Sequence, residues 1–278
     1  MNIAIVGSST GIGRSLAEHL LAQGNRVWGF ARSDQSGFAA EHPLNFRASR
    51  CDVAEWEQVE SAAAEVASVW RHLDGLVICA AVHGEVGPTV FLDPARWNAA
   101  IQANLGGTFH ALRAFYGLLS KAPRRAKVVG FAGGGATKSR PNFSAYAAAK
   151  TAVVRLFETV AEELQDQPID LNVVSPGIIN TRLTAEVLTL GPKIAGEADF
   201  KAVFKQKDDD SAQLAKALGL VDWLLSPASD GISGRLLSAP WDPWSTLDNR
   251  KAELLPSDIY TLRRIVPEDR GCKWPAKV

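Results

Sequence analysis

Ile3-Ala4-Ile5-Val6-Gly7-Ser8-Ser9-Thr10-Gly11-Ile12-Gly13 is a short apolar run that breaks into a glycine-rich turn. An apolar run of this length suits a strand buried on both faces of a parallel sheet. Beyond the turn, Leu16, Leu20 and Leu21 recur on one side of a helical pattern. Strand, glycine turn and helix together aim backbone N–H groups and a helix N-terminus at a phosphate. Glycine spacing alone is a weak sign, and here it reads G-x-x-x-G-x-G rather than G-x-G-x-x-G. With its flanking strand and helix it becomes a dinucleotide signal.

The same alternation runs on. Further strands are expected at 26–31, 46–51, 74–81, 127–132, 169–174 and 234–238, with helical periodicity between them. The reading is α/β: a single doubly wound parallel sheet of the Rossmann type, about seven strands, with helices on both faces. It spans residues 1–238. The fourth run ends in Cys79-Ala80-Ala81, small side chains that leave room for a flat ligand such as a dinucleotide at Ala80. Asp93-Pro94 opens a long helix as N-cap and first residue. That helix carries Asn104 in its interior, an unfavourable place that invites an explanation. Asn142 is the expected cap of the next long helix. Residues 183–212 read as a charged, loop-like insertion over the cleft, including Asp208-Asp209-Asp210. Residues 239–278, with Trp241, Trp244 and Trp274-Pro275, read as an arm packed on a neighbour or over the cleft, not as an independent domain.

Composition narrows the function classes. The chain has 278 residues, 46% hydrophobic and 22% charged, ordinary values for a globular protein with a sizeable core. Thirty basic and thirty acidic residues cancel, so nothing favours nucleic acid or an anionic membrane as partner. Cys51, Cys79 and Cys272 are odd in number and far apart, and no Cys/His cluster suggests a metal. The N-terminus has no basic segment, and its apolar run is too short to span a membrane. A cytoplasmic location is the expectation.

Ser144-Ala145-Tyr146-Ala147-Ala148-Ala149-Lys150 supplies the chemistry. Residues four apart share one helix face, so the phenol and the ammonium lie one above the other. A free phenol has a pKa of roughly 10 and is a proton donor at neutral pH. A neighbouring cation favours the phenolate and brings the group toward acid/base use. A lone Tyr-x-x-x-Lys is ordinarily a helical Tyr beside a solvated Lys; the glycine turn changes that reading. The second strand ends at Arg32-Ser33 with no acidic residue. An Arg there suits the 2′-phosphate of NADP. Asp34 would serve an NAD ribose instead, and NAD stays open.

Taken in order, Gly7, Gly11, Gly13, Asp52-Val53, Asn104, Tyr146 with Lys150, Asn172, Pro176-Gly177 and Thr181 resemble the short-chain dehydrogenase/reductase family over residues 1–238. The resemblance implies hydride transfer between a nicotinamide and a carbonyl/alcohol pair of a small-molecule substrate. Tyr146 would exchange the proton with the substrate oxygen. Lys150 would hold the nicotinamide ribose and bias the phenol downward, and Asn104 would hold a water of the proton relay. Ser9, Thr10 and Ile12 would sit by the cofactor phosphates, Asp52 and Val53 by adenine, and Ile179 and Thr181 by the carboxamide. A homodimer or homotetramer is also implied. A polar, sugar-like substrate is read from the charged 183–212 region and the hydrophilic tail.

Two departures from the family pattern stand out. A serine is usual about thirteen residues before the Tyr, where this chain has Ala132-Gly133-Gly134-Gly135. Loss of such a donor costs on the order of 10²–10³ in rate. Thr137, Ser139 or the glycine N–H groups are the stand-ins, and a run of such N–H groups would also suit an anionic substrate. The usual Asn-Asn-Ala-Gly is replaced by Ile78-Cys79-Ala80-Ala81, with Cys79 read as filler and His83 as a partly exposed loop residue. Two other readings stay open: a catalytically weakened relative that binds dinucleotide as sensor or structural subunit, and a sugar-nucleotide epimerase.

Overall fold

β1 (Asn2–Val6) is an interior strand of a seven-stranded sheet, and nearly every one of its side chains is buried, on both faces. The computed structural model describes residues 1–206 and 211–272. β2 (Arg26–Ala31), β3 (Phe46–Arg50), β4 (Gly75–Ile78), β5 (Ala126–Phe131), β6 (Ile169–Ser175) and β7 (Arg235–Ser238) complete the sheet in the order β3-β2-β1-β4-β5-β6-β7. Every pairing is parallel: Ile3 stands opposite Val27 on one side and Gly75 on the other. The sheet is the expected doubly wound one, with most strand limits within a residue or two of the sequence reading.

Alternation along β1 sorts its side chains into two cores. Ala4 and Val6 join Trp28, Phe30, Leu76 and Ile78 beneath α3 (Trp56–Val69), α5 (Gly107–Leu119) and α6 (Ser144–Glu163), where Val59, Phe115 and Phe157 meet them. Ile3 and Ile5 join Val77 and Val129 on the opposite face, beneath α1 (Gly11–Ala22) and α9 (Ser211–Leu225). Each fully buried Ile or Phe contributes about 1.5–3 kcal/mol, so the two layers lock the sheet between them. Of the remaining helices, α2 (Ser36–Glu41) follows β2, and α4 (Pro94–Ile101) runs toward α5. Chain order reverses between β1 and β4, which opens a crevice at the strands' carboxyl ends. Among the described residues, no helix is long and apolar enough to cross a membrane.

Two expectations fail. Residues 183–206 are not loop: α7 (Arg182–Ala195) and α8 (Glu197–Gln206) occupy them, and α9 begins at Ser211. Leu183, Val187 and Leu190 recur at helical spacing and pack toward Phe143 and Tyr146, while charges cover the other side. Gly191, at φ 70°, breaks α7 before Pro192. Asp208-Asp209-Asp210 and Trp274-Pro275 lie outside the described residues. Asn142 is not the cap of α6 either: it sits at φ 69°, Phe143 holds the cap position, and no side chain caps that end.

The arm runs along the outer edge of the sheet. The β7 residue Arg235 donates from Nη1 to Ser257 O and Ile259 O, both at 2.8 Å, and Leu236 N donates to Tyr260 O at 2.8 Å. Arg155 reaches Leu262 O, and Leu262 N donates to Glu158 at 2.6 Å. An edge strand left open invites pairing with another chain, and this arm covers it.

Candidate active site

Gly7 turns at φ 88°, and a Cβ on it would stand 2.5 Å from Ala80 N and 2.7 Å from Ala80 Cα. Only glycine lets β1 pass that close to the end of β4. A Cβ on Gly13 would likewise press on the Gly7 carbonyl, 2.9 Å from its carbon. Thr10 caps α1 without a side-chain hydrogen bond. The first-turn N–H groups of a helix have no partners inside it, so this N-terminus is suited to an anion.

The cleft beside the turn brings together eleven of the residues expected to hold cofactor. Gly7, Ser9, Thr10, Gly11, Ile12 and Gly13 form one wall. Arg32, Asp52 and Val53 line one end, with Ala80 and Thr181 further along. Thr181 closes over the turn, its Cγ2 3.2 Å from where a Gly11 Cβ would be, and it starts α7 through a reciprocal cap with Thr184. Tyr146, Lys150, Pro176, Gly177 and Ile179 do not line this cleft. Gly177 packs against Pro240, and Ile179 is buried in the core beneath α9. Sequence reasoning missed Ser33, whose Oγ lies 3.1 Å from Ser9 Oγ, although its place beside Arg32 was a usable signal.

Arg32 is 61% exposed, its Nη1 3.9 Å from Asp52 Oδ2. Asp34 is committed elsewhere: its carboxylate accepts from Ser36 N at 3.0 Å and Ser36 Oγ at 2.7 Å, and these bonds lower its pKa. The cation at the end of β2 is therefore faced by Asp52 and not by Asp34.

Asn104 is fully buried inside a π turn, Gln102–Gly106, that joins α4 to α5. Its Oδ1 accepts from Val82 N at 3.2 Å, and its Nδ2 donates to Val82 O and Ala100 O, both at 2.8 Å. The widened turn explains an Asn in mid-helix, since it ties the helix to the segment after β4 that floors the cleft.

Tyr146 and Lys150 share one face of α6 and are 6% and 3% exposed. Lys150 Nζ donates to Phe131 O at 2.9 Å and stands 5.8 Å from the Tyr146 ring centroid. Burial lowers the Lys150 pKa to about 8. Burial raises the Tyr146 phenol, and the group that opposes this is Arg140. Arg140, 5.4 Å from the ring centroid, is the neighbouring charge that draws the phenol down.

His83 is also corrected. It is 3% exposed, its ring centroid is 5.0 Å from those of both Phe143 and Tyr146, and its Nδ1 lies 3.2 Å from Glu186 Oε2 on α7. Burial, Arg140 and Arg182 push its pKa down to about 3, so the ring is neutral. The thirteenth residue before Tyr146 is Gly133, and a Cβ there would fall 2.9 Å from the phenol Cε1 and closer still to its oxygen. The tyrosine thus occupies the space a serine side chain would take. Thr137 and Ser139, the suggested stand-ins, are exposed.

Buried Lys150 makes stability depend on pH. Below pH 8 the group is charged folded and unfolded, and the cost of burying the charge is fully present. Above its ordinary 10.5 it is neutral in both states and the cost is gone. The cofactor-free protein should therefore gain on the order of 3 kcal/mol from this group across that window. Urea unfolding at both ends of the window should show the gain in the wild type and not in Lys150→Met; equal gains would place the charge elsewhere.

A doubly wound sheet with a glycine turn at its switch point, and a Tyr over a Lys beside it, defines a dinucleotide-binding α/β protein. The sequence model of the short chain dehydrogenases matches residues 1–189. A short chain dehydrogenase of Monascus purpureus is 30% identical over 275 residues, covering 95% of this chain and 88% of that one. The 2,5-dichloro-2,5-cyclohexadiene-1,4-diol dehydrogenase of Sphingobium indicum is 26% identical over 241 residues, 85% of this chain and 94% of that one. Among solved structures, a short chain dehydrogenase of Escherichia coli complexed with NADPH superposes with a TM-score of 0.72 at 25% identity, covering 86% of this chain and 95% of that one. The chain belongs to the short-chain dehydrogenase/reductase family and is an oxidoreductase that uses a nicotinamide cofactor.

Proposed function

We propose that this enzyme uses NADP to interconvert a carbonyl and an alcohol on a polar substrate, with Tyr146 as the acid/base. The observation that carries the reading is the placing of Tyr146 over Lys150 on α6, beside a cleft whose wall is the glycine turn. When bound, the nicotinamide supplies or takes the hydride. The chain's own residues do the rest. The N-terminus of α1 and the turn at Gly7 to Gly13 hold the phosphates, and Arg32 with Ser33 holds the 2′-phosphate. Asp52 and Val53 flank the adenine, and Thr181 faces the carboxamide end. The Tyr146 hydroxyl gives its proton to the substrate oxygen in reduction and takes it back in oxidation. Lys150, half-titrated near pH 8, holds the nicotinamide ribose. Asn104 shapes the floor by fixing Val82.

Arg32→Ala should raise the KM for NADPH by about 10–100-fold and change that for NADH by less than threefold, since one charge-assisted contact is lost only where a 2′-phosphate is present. Steady-state titration of both nucleotides reads this directly. Equal losses for both would remove Arg32 from the phosphate.

A homodimer or homotetramer fits the exposed Phe109 and Tyr116 on α5, which border an apolar groove against α6. Free Cys51, Cys79 and Cys272 support a reducing, cytoplasmic location. The hydrogen bonds from β7 to residues 257–260 support reading the arm as part of the same folding unit.

A further inference from the structure

Arg140 stands on the loop between the three-glycine turn and α6. Its guanidinium carbon is 3.8 Å from the Phe143 ring centroid and 5.4 Å from that of Tyr146. Gly135 makes the room: at φ 106°, a Cβ on it would stand 3.2 Å from Arg140 Cβ and 2.6 Å from Ala147 Cβ. Only one of its donors is engaged, Nε to Asp199 Oδ2 at 2.9 Å. Among the described residues, no acceptor meets Nη1 or Nη2, although the side chain is only 13% exposed. A guanidinium is a planar fork of five N–H donors that matches a carboxylate or phosphate two bonds to two. The two Nη groups keep contact with solvent, so that edge of the fork is open to an incoming acid, and Asp199 meets the guanidinium only from the side.

The surroundings agree in sign. His83 packs against Tyr146 and is kept neutral in part by the positive charges of Arg140 and Arg182, so the space over the phenol already disfavours a cation. Glu186, whose carboxyl pKa is raised by burial, is the acidic group on His83's other side. Asp199 lies on α8, a helix outside the sheet.

We propose that Arg140 determines substrate specificity by gripping an oxyanion of the substrate, a carboxylate or a phosphate, a few bonds from the carbonyl that Tyr146 serves. Asp199 of α8 occupies one edge of the guanidinium in the absence of substrate and yields to that oxyanion. The proposal rests on the oxidoreductase reading of this site. It narrows the substrate class to short oxo or hydroxy compounds that carry a negative group.

The test pairs charged and neutral carbonyls on the same NADPH-loaded enzyme: acetoacetate with methyl acetoacetate, pyruvate with methyl pyruvate, and dihydroxyacetone phosphate with dihydroxyacetone. At least one charged member should exceed its neutral counterpart tenfold or more in kcat/KM, and which pair does so separates carboxylate from phosphate. Arg140→Gln should shrink that ratio at least tenfold, and Arg140→Lys should shrink it less. A ratio within one protein cancels any general loss from altered folding or phenol acidity. In parallel, malonate and inorganic phosphate are titrated calorimetrically into the NADPH complex. One of them should bind at least tenfold more weakly to Arg140→Gln and more tightly to Asp199→Asn. No anion binding by the wild type, or equal binding by Arg140→Gln, overturns the proposal even if nothing in the panel turns over. Failure to bind NADPH, or anion binding with no turnover of any carbonyl, counts against the oxidoreductase reading instead.

Discussion

Tyr146→Phe should reduce turnover by about 10³-fold, within the ~10²–10⁴ that a positioned general acid or base contributes. The substitution deletes one oxygen and leaves the ring in its contacts with Phe143, His83 and Val187. NADPH affinity should move by less than threefold, because Tyr146 does not line the cleft of the glycine turn. Burial raises the phenol above its ordinary value, so at neutral pH it carries its proton and is ready to donate it in reduction. Oxidation needs the phenolate, so alcohol oxidation should climb with pH where carbonyl reduction does not. Rapid-mixing single turnovers in both directions, with nucleotide fluorescence for binding, read every part of this. A variant keeping a tenth of the wild-type rate would sink the assignment. A wild type that binds NADPH and turns over nothing would revive the sensor reading.

Such a prediction can be made because the chemistry lay in local sequence. The glycine turn is legible because its constraint is steric and short-range: no residue with a Cβ fits at Gly7 against Ala80. Tyr146 and Lys150 are legible because helical spacing alone puts them on one face. Asn104 announced itself by standing where an Asn is unfavourable, and a π turn is the answer. What stayed hidden depends on chain segments that meet only after folding. Arg140 influences the phenol because the loop after β5 folds back across Phe143, and no spacing encodes that. His83 read as exposed because the α7 that covers it was itself misread, its Leu183–Val187–Leu190 stripe masked by surrounding charge. Asn142 had the right residue type for a cap, but its backbone turned left-handed instead.

Gly133→Ser is where sequence resemblance and structure predict opposite results. Resemblance says that a serine at this position supplies a donor to the substrate oxygen, worth on the order of 10²–10³ in rate, so its insertion should help. In the structure the phenol already fills that space, and the new Cβ would lie 2.9 Å from both Cε1 and Cζ. The ring has little room to retreat, with His83 and Phe143 against it and Val187 of α7 packed in the same cluster. Overpacking of this kind costs about 1–3 kcal/mol, either in stability or in a displaced tyrosine. A displacement of the acid by even an ångström is enough to cost ~10²-fold in rate. The expected result is therefore a fall in kcat of about 10–100-fold for Gly133→Ser, and a similar fall for Gly133→Ala, which adds the same Cβ without the hydroxyl. Comparing the two isolates the hydroxyl from the clash. Should Gly133→Ser outpace the wild type while Gly133→Ala slows, the phenol must work from a different position, and the hydroxyl at 133 would then be the donor that resemblance implies. If both slow together, glycine at 133 is what lets this tyrosine sit where it does, and the donor implied by the family's serine must come from elsewhere in this enzyme, with the guanidinium of Arg140, 5.4 Å from the ring centroid, able to give it.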